Sequence, residues 1–208
     1  NMGGGTMQAL VMVLMVPLML LNFFGGIGSG IWLAILGEWW AIGYGIAGFL
    51  LSHFLLAIIL MPGILLVGPA ALLMEKGKTF LAFPFLLLSQ LYTFAVITAW
   101  CMFVFYFFMS RAGQDTFWPL LIWSYGVALG PWMYMAQKEQ QGGTGDASAM
   151  TTFFAQVAYI VVALVVIFGS ATLIGLAMIF GGIMLVGMLI QTGLALAMLR
   201  EEKRLSVS

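Results

Sequence analysis

The sequence predicts an all-α integral membrane protein, a polytopic bundle of about six transmembrane helices with both termini cytoplasmic. Three observations predict it. Hydrophobic residues make up 63% of the chain and charged residues 7%, too little polar surface to cover a water-soluble domain. All charges fall in short windows: Glu38; Glu75 to Lys78; Arg111 to Asp115; Lys138 to Asp146; and Arg200 to Arg204. Each uncharged stretch between the windows supplies at least the ~20 apolar residues that a bilayer crossing requires.

Taken in order, these stretches are 7–36, 41–74, 79–109, 116–136 and 149–199. The last would measure about 76 Å as one helix, so it folds back, with Gly169-Ser170 as the turn. In the second, Pro62-Gly63 and Gly68-Pro69 interrupt the ladder of backbone hydrogen bonds. That span is therefore expected to end or bend near Met61, leaving 63–74 as an apolar extension or re-entrant piece. The expected spans are 7–36, 41–62, 79–109, 116–136, 149–168 and 171–199, all in a single transmembrane domain. Gln140 to Ser148 reads as a flexible loop, and neither half of the chain copies the other.

Alternation of sides sorts the basic residues. Lys76, Lys78, Lys138, Arg200, Lys203 and Arg204 share a side with both termini, and Arg111 alone lies opposite. Positive charge collects on the cytoplasmic side, so the chain is expected to be N-in and C-in, in a prokaryotic inner membrane. Trp39, Trp40 and Trp118 fall at the outer boundary, and Trp132 with Tyr134 at the inner one, as aromatic belts would. Glu38 reads as an interfacial residue, solvated at a turn; if buried, it would pair with Arg111. Seven basic and seven acidic groups cancel, leaving no field to attract nucleic acid.

The stretch "FFGGIGSG", Phe23 to Gly30, invites three chemical readings. A phosphate loop would need Lys-Ser or Lys-Thr after its last glycine, and apolar helix follows instead. A serine nucleophile of the kind the intramembrane rhomboid proteases carry in Gly-x-Ser-Gly would need glycine where Ile27 precedes Ser29, and a placed base. Packing needs only small residues one helical turn apart. Gly26 and Gly30 form a GxxxG pair, and Ala41 with Gly45, Gly48 with Ser52, and Gly126 with Gly130 repeat the spacing on other spans. Helix contact is the expectation for this patch, with the turn at Gly37-Glu38.

Met15 and Met19, followed by the GxxxG pair, set out the thioethers that Cu(I) favours, but in an incomplete site; the methionines are expected to pack. Cys101 stands alone, which excludes an intrachain disulfide and a thiolate cluster. No metal or other cofactor is expected. Paired intramembrane carboxylates and the HExxH pattern are both missing, so the sequence lends no support to an enzyme.

Polar side chains inside apolar spans carry the functional expectation, because in hydrocarbon they need partners or water. They are Asn22, His53, Gln90, Gln156 and Gln191, helped by Tyr44 and Tyr92. His53 and Gln90 stand at similar depths on adjacent spans. The leading expectation is a homo-oligomeric channel or secondary transporter for a small solute or a proton-coupled substrate, with His53 as gate. The alternative is a non-catalytic subunit or assembly partner of a larger membrane complex. Lipid and other membrane subunits are the partners either reading implies.

Overall fold

The computed structural model describes residues 3–141, 146–169 and 171–205. The described residues form six helices and no strand: α1 Gly3–Ile35, α2 Trp39–Glu75, α3 Thr79–Met109, α4 Phe117–Gln141, α5 Asp146–Phe168 and α6 Leu173–Leu205. Residues 142–145 of the expected loop, and Ser170 of the expected last turn, lie outside the described residues.

The two tightest connections share one local mechanism. After α1, Gly37 takes φ +80°, its N–H donates to the Ala34 carbonyl at 3.1 Å, and the Glu38 N–H donates to Leu33 at 2.9 Å. After α2, Gly77 takes φ +71°, and the same pair runs from Gly77 to Met74 and from Lys78 to Leu73 at 2.9 and 2.8 Å. This double closure satisfies the last carbonyls of a helix and needs a left-handed residue that glycine adopts without strain. Residues 25–30 are accordingly helical, and the chain turns at Gly37-Glu38, as the sequence predicts.

The second span departs from expectation. It does not end near Met61; α2 runs through Pro62 and Pro69 as 37 residues of continuous helix. A facing helix supports the backbone on both sides of Pro62. Ser89 Oγ donates to the Gly63 carbonyl at 2.8 Å and Tyr92 Oη to the Ile59 carbonyl at 2.7 Å, so α3 hydroxyls hold the turns around Pro62. Hydroxyls from a neighbour are the usual means by which a membrane helix tolerates proline.

Among the described residues, five helices are long and apolar enough to cross a membrane, and α4 is not one of them. Its sequence explains why. Pro119, Trp123, Ser124, Tyr125, Gly126, Gly130 and Pro131 dilute its aliphatic content. Its position explains how that is tolerated: α4 touches α1, α2, α3 and α5, and Leu120, Ser124, Ala128 and Leu129 are fully buried. A helix covered by protein need not match lipid. The lipid-facing helices show the reverse pattern. On α2 the buried positions are Ala41, Gly45, Ser52, Leu56, Gly63 and Ala70, mostly small, while Leu50, Phe54, Ile58 and Leu65 face outward. With lipid as apolar as leucine, close approach and not hydrophobic contrast decides which face is inside.

Gly37→Ala is expected to lower stability by about 1 kcal/mol, because alanine is strained at this left-handed φ. Gly28→Ala, on an open face of α1, is expected to be neutral or slightly stabilising. Equilibrium unfolding in mixed detergent micelles measures both, and equal effects would count against the turn assignment.

Candidate functional site

Three helices converge on one surface feature. α1 and α2 each lean on α4 but make few contacts with each other, which leaves a groove of about 540 Å³ between them. Its floor is α4, through Trp123, Gly126 and Val127; its walls are Gly26, Ile27, Gly30 and Ile31 of α1 and Gly45, Ile46, Phe49 and Leu50 of α2. Ile27, Ile31, Ile46 and Leu50 are each at least half exposed, so the groove opens sideways, toward the lipid-facing surface.

Glycine sets the depth of the groove. A methyl built at Gly30 would stand 3.1 Å from the Trp123 ring, and one built at Gly126 would stand 3.8 Å from the Cα of Gly26. A methyl at Gly45 would overlap the Trp123 indole, and one at Gly130 would stand 2.8 Å from the Phe49 ring. Trp123 fills the space these glycines leave and donates its indole N–H to the Ala41 carbonyl at 2.9 Å, tying α4 to α2. Gly26 differs from its partner in the GxxxG pair: a methyl built there meets no atom within 4 Å, and Gly26 lines the groove. Of the expected packing glycines, Gly30, Gly126 and Gly130 press on neighbours, whereas Gly26 also opens a cavity.

The polar residues do not gather along one passage. His53 is half-buried on α2; its Nδ1–H donates to the Phe49 carbonyl at 2.8 Å, and its ring packs edge-on against Phe49 and Tyr134. Gln90 on α3 accepts from Thr192 on α6 at 3.1 Å, and Gln191 on α6 donates to Thr151 on α5 at 3.1 Å. Tyr92 hooks α3 to α2, as described above. The Gln90, Gln191 and Tyr92 bonds are interhelical ties, each worth about 0.6 kcal/mol in a membrane bundle, whereas the His53 bond stays within α2. Neither His53 nor Gln90 lines the groove.

Two of the expected residues do belong to one connected set. Asn22 reaches from the groove to the Tyr125 carbonyl at 3.5 Å, and the Tyr125 hydroxyl donates to Gln156 Oε1, also at 3.5 Å. Beside them the Tyr159 hydroxyl lies 2.5 Å from Ser124 Oγ, which itself donates to the Leu121 carbonyl at 2.8 Å. With the serine proton so engaged, the tyrosine is the donor of the pair. Ser124, Tyr159 and Gln156 are buried to within 1% of completely, and Gln156 Nε2 has no partner. Sequence reasoning missed Ser124, Tyr125 and Tyr159. For Ser124 and Tyr125 the available signal was the concentration of hydroxyls and glycines on the least apolar span; Tyr159, on α5, had none.

The interfacial residues meet at the other side of α2. Glu38 does not pair with Arg111; its carboxylate accepts from the Trp40 indole, while the Arg111 guanidinium lies 4.2 Å from the Phe107 ring centroid. Trp40, Tyr44, Phe107 and Arg111 line a second pocket of about 450 Å³. Trp39 and Trp118 are exposed, as belt residues are, but Trp132 is buried with its indole N–H unpartnered. Met15, Met184 and Met188 are buried among core side chains, and among the described residues no three His, Cys, Asp or Glu side chains group to hold a metal.

Comparisons with protein-family models, with curated proteins and with solved structures give no match.

Gln156→Leu removes the orphan Nε2 but also the acceptor of the buried Tyr125 hydroxyl, and is expected to lower stability by about 1 kcal/mol. Gly45→Leu forces the Trp123 ring away from α2 and is expected to lower stability by roughly 1–3 kcal/mol. Unfolding midpoints of the two variants in one detergent system test both, and a stabilised Gln156→Leu would show that the Tyr125 hydroxyl gains nothing from the Gln156 carbonyl.

Proposed function

We propose that the chain is a non-catalytic subunit of a larger complex in a prokaryotic cytoplasmic membrane, and that the α1–α2 groove seats an apolar helix of another subunit. The observation that carries this reading is the groove itself. It is apolar, opens sideways and is floored by glycine, so the backbone of an incoming helix is able to approach closely. Such a surface suits a helix better than an aqueous solute, because it offers one polar side chain, Asn22, against a wall of aliphatic groups. The polar residues elsewhere support the same reading, since Gln90, Gln191 and Tyr92 tie helices together, His53 bonds within α2, and neither His53 nor Gln90 lines the groove. In this proposal α4 also crosses the bilayer, shielded by its neighbours, so that six crossings leave both termini cytoplasmic and Arg111 outside.

Transport keeps one observation in its favour. Tyr125, Gln156, Tyr159 and Ser124 form a buried polar set between α4 and α5, and intramembrane polar groups of this kind mark solute or proton paths in many membrane proteins. Under this second reading the set replaces His53 as the polar constriction.

A Cβ at Gly26 meets no atom within 4 Å, so Gly26→Leu is expected to preserve the fold, to fill part of the groove and to reduce a co-purifying membrane subunit by roughly tenfold. Cross-linking from Ile27→Cys and Leu50→Cys, in a Cys101→Ser background, identifies what occupies the groove. Adducts only with a second copy of the chain, or with lipid alone, would overturn the heteromeric reading. Reconstituted vesicles address the other: solute or proton flux that is lost in Gln156→Leu and kept in His53→Ala would establish transport through the α4–α5 set.

A further inference from the structure

The second pocket has a chemistry the groove lacks. It sits where the start of α2 meets the end of α3, at the end of the bundle that carries Glu38 and Arg111. Its walls are aromatic and interlocked: Tyr44 meets Phe107 edge-on with centroids 5.5 Å apart, Trp40 meets Phe107 at 6.4 Å, and Trp40 stacks on Phe108 at 6.1 Å. Glu38 fixes the indole from outside through the Trp40 N–H. Arg111 is held at the mouth twice, by the Phe107 ring and by a 2.6 Å bond from its Nη1 to the Phe107 carbonyl. A guanidinium has five N–H donors, and this bond uses one.

We propose that this pocket binds a zwitterionic phosphate group, the phosphate on Arg111 and the cationic end against the aromatic walls and Glu38, and that its source is the headgroup of a neutral phospholipid. Two features point to a ligand carrying both charges. Guanidinium donors match phosphate oxygens, and faces of Trp, Tyr and Phe attract an ammonium. The charge balance at this end of the chain decides between lipid classes. One guanidinium, Arg111, stands against two carboxylates, Glu38 and Asp115, so a headgroup with a net negative charge would be repelled. A zwitterion brings its own cation and meets no such penalty. Depth agrees as well. Exposed Trp39 and Trp118 flank the same end, and tryptophan gathers where headgroups lie.

Native mass spectrometry of the detergent-purified chain, titrated with phosphatidylethanolamine and with phosphatidylglycerol, tests the proposal. The expected result is tighter binding of phosphatidylethanolamine, weakened roughly tenfold by Arg111→Gln, which removes a charge-assisted contact, and by Tyr44→Ala, which opens the wall. Both side chains are exposed, and Phe80→Ala, 90% exposed before its truncation and at the opposite end of α3, is expected to change nothing. Phosphatidylglycerol binding as tightly as phosphatidylethanolamine would overturn the charge argument. Unchanged affinity in Arg111→Gln and Tyr44→Ala would overturn the site. Free phosphoethanolamine competing at concentrations as low as the lipid would overturn the bilayer as the source.

Discussion

Close approach of α1 and α2 to α4 is the constraint on which the rest of the structure depends. In a bilayer no hydrophobic contrast drives helices together, so association rests on how near their backbones come. Here that nearness is set by glycine facing bulk: Gly30 and Gly45 against Trp123, and Gly130 against Phe49. Trp123 is the shared element, wedged between two helices and bonded to the backbone of one. Because α4 is enclosed in this way, it carries prolines, hydroxyls and glycines that a lipid-exposed helix would carry at greater expense.

The same constraint produces the groove. Two helices that both rest on α4 across a wide tryptophan do not also close on each other, and the space between them stays apolar and open. On the far side of α2 the geometry differs. There α2 and α3 pack along Gly63, whose absent side chain admits Ser89, Tyr92 and Thr93, and the two helices part only near the Trp40 end. One helix thus presents a groove of aliphatic character on one flank and a charged aromatic pocket on the other.

How much was legible varies by residue. Both Schellman turns follow from local chemistry, since Gly37 and Gly77 stand just after apolar runs and nothing else adopts their φ readily. That residues 25–30 are helical and that Gly30 sits close to a neighbour was legible from spacing; that Gly26 lines a groove was not. The continuity of α2 was not: Pro62 and Pro69 argue for a break, yet the helix runs on, with α3 hydroxyls bonding the Ile59 and Gly63 carbonyls that flank Pro62. The polar residues divide in the same way. That Gln90, Gln156 and Gln191 need partners follows from their surroundings, but which partners they find depends on helices up to a hundred residues away along the chain, as with Gln90 and Thr192.

By itself, then, the sequence determined the all-helical membrane class, the turns at Gly37-Glu38 and in the Glu75 to Lys78 window, and the close approach at Gly30 and Gly45. These follow from composition, from glycine at left-handed positions and from the spacing of small residues, all of which act within a turn or two of the chain. Only the tertiary structure decided that α4 is enclosed, that Tyr125 and Tyr159 join Gln156, that His53 and Gln90 lie apart, and that Arg111 lies over Phe107 while Glu38 holds Trp40. The reason is that side chains of similar apolar helices are equally content facing lipid or protein, so pairing is chosen by shape, and shape exists only once the helices have met.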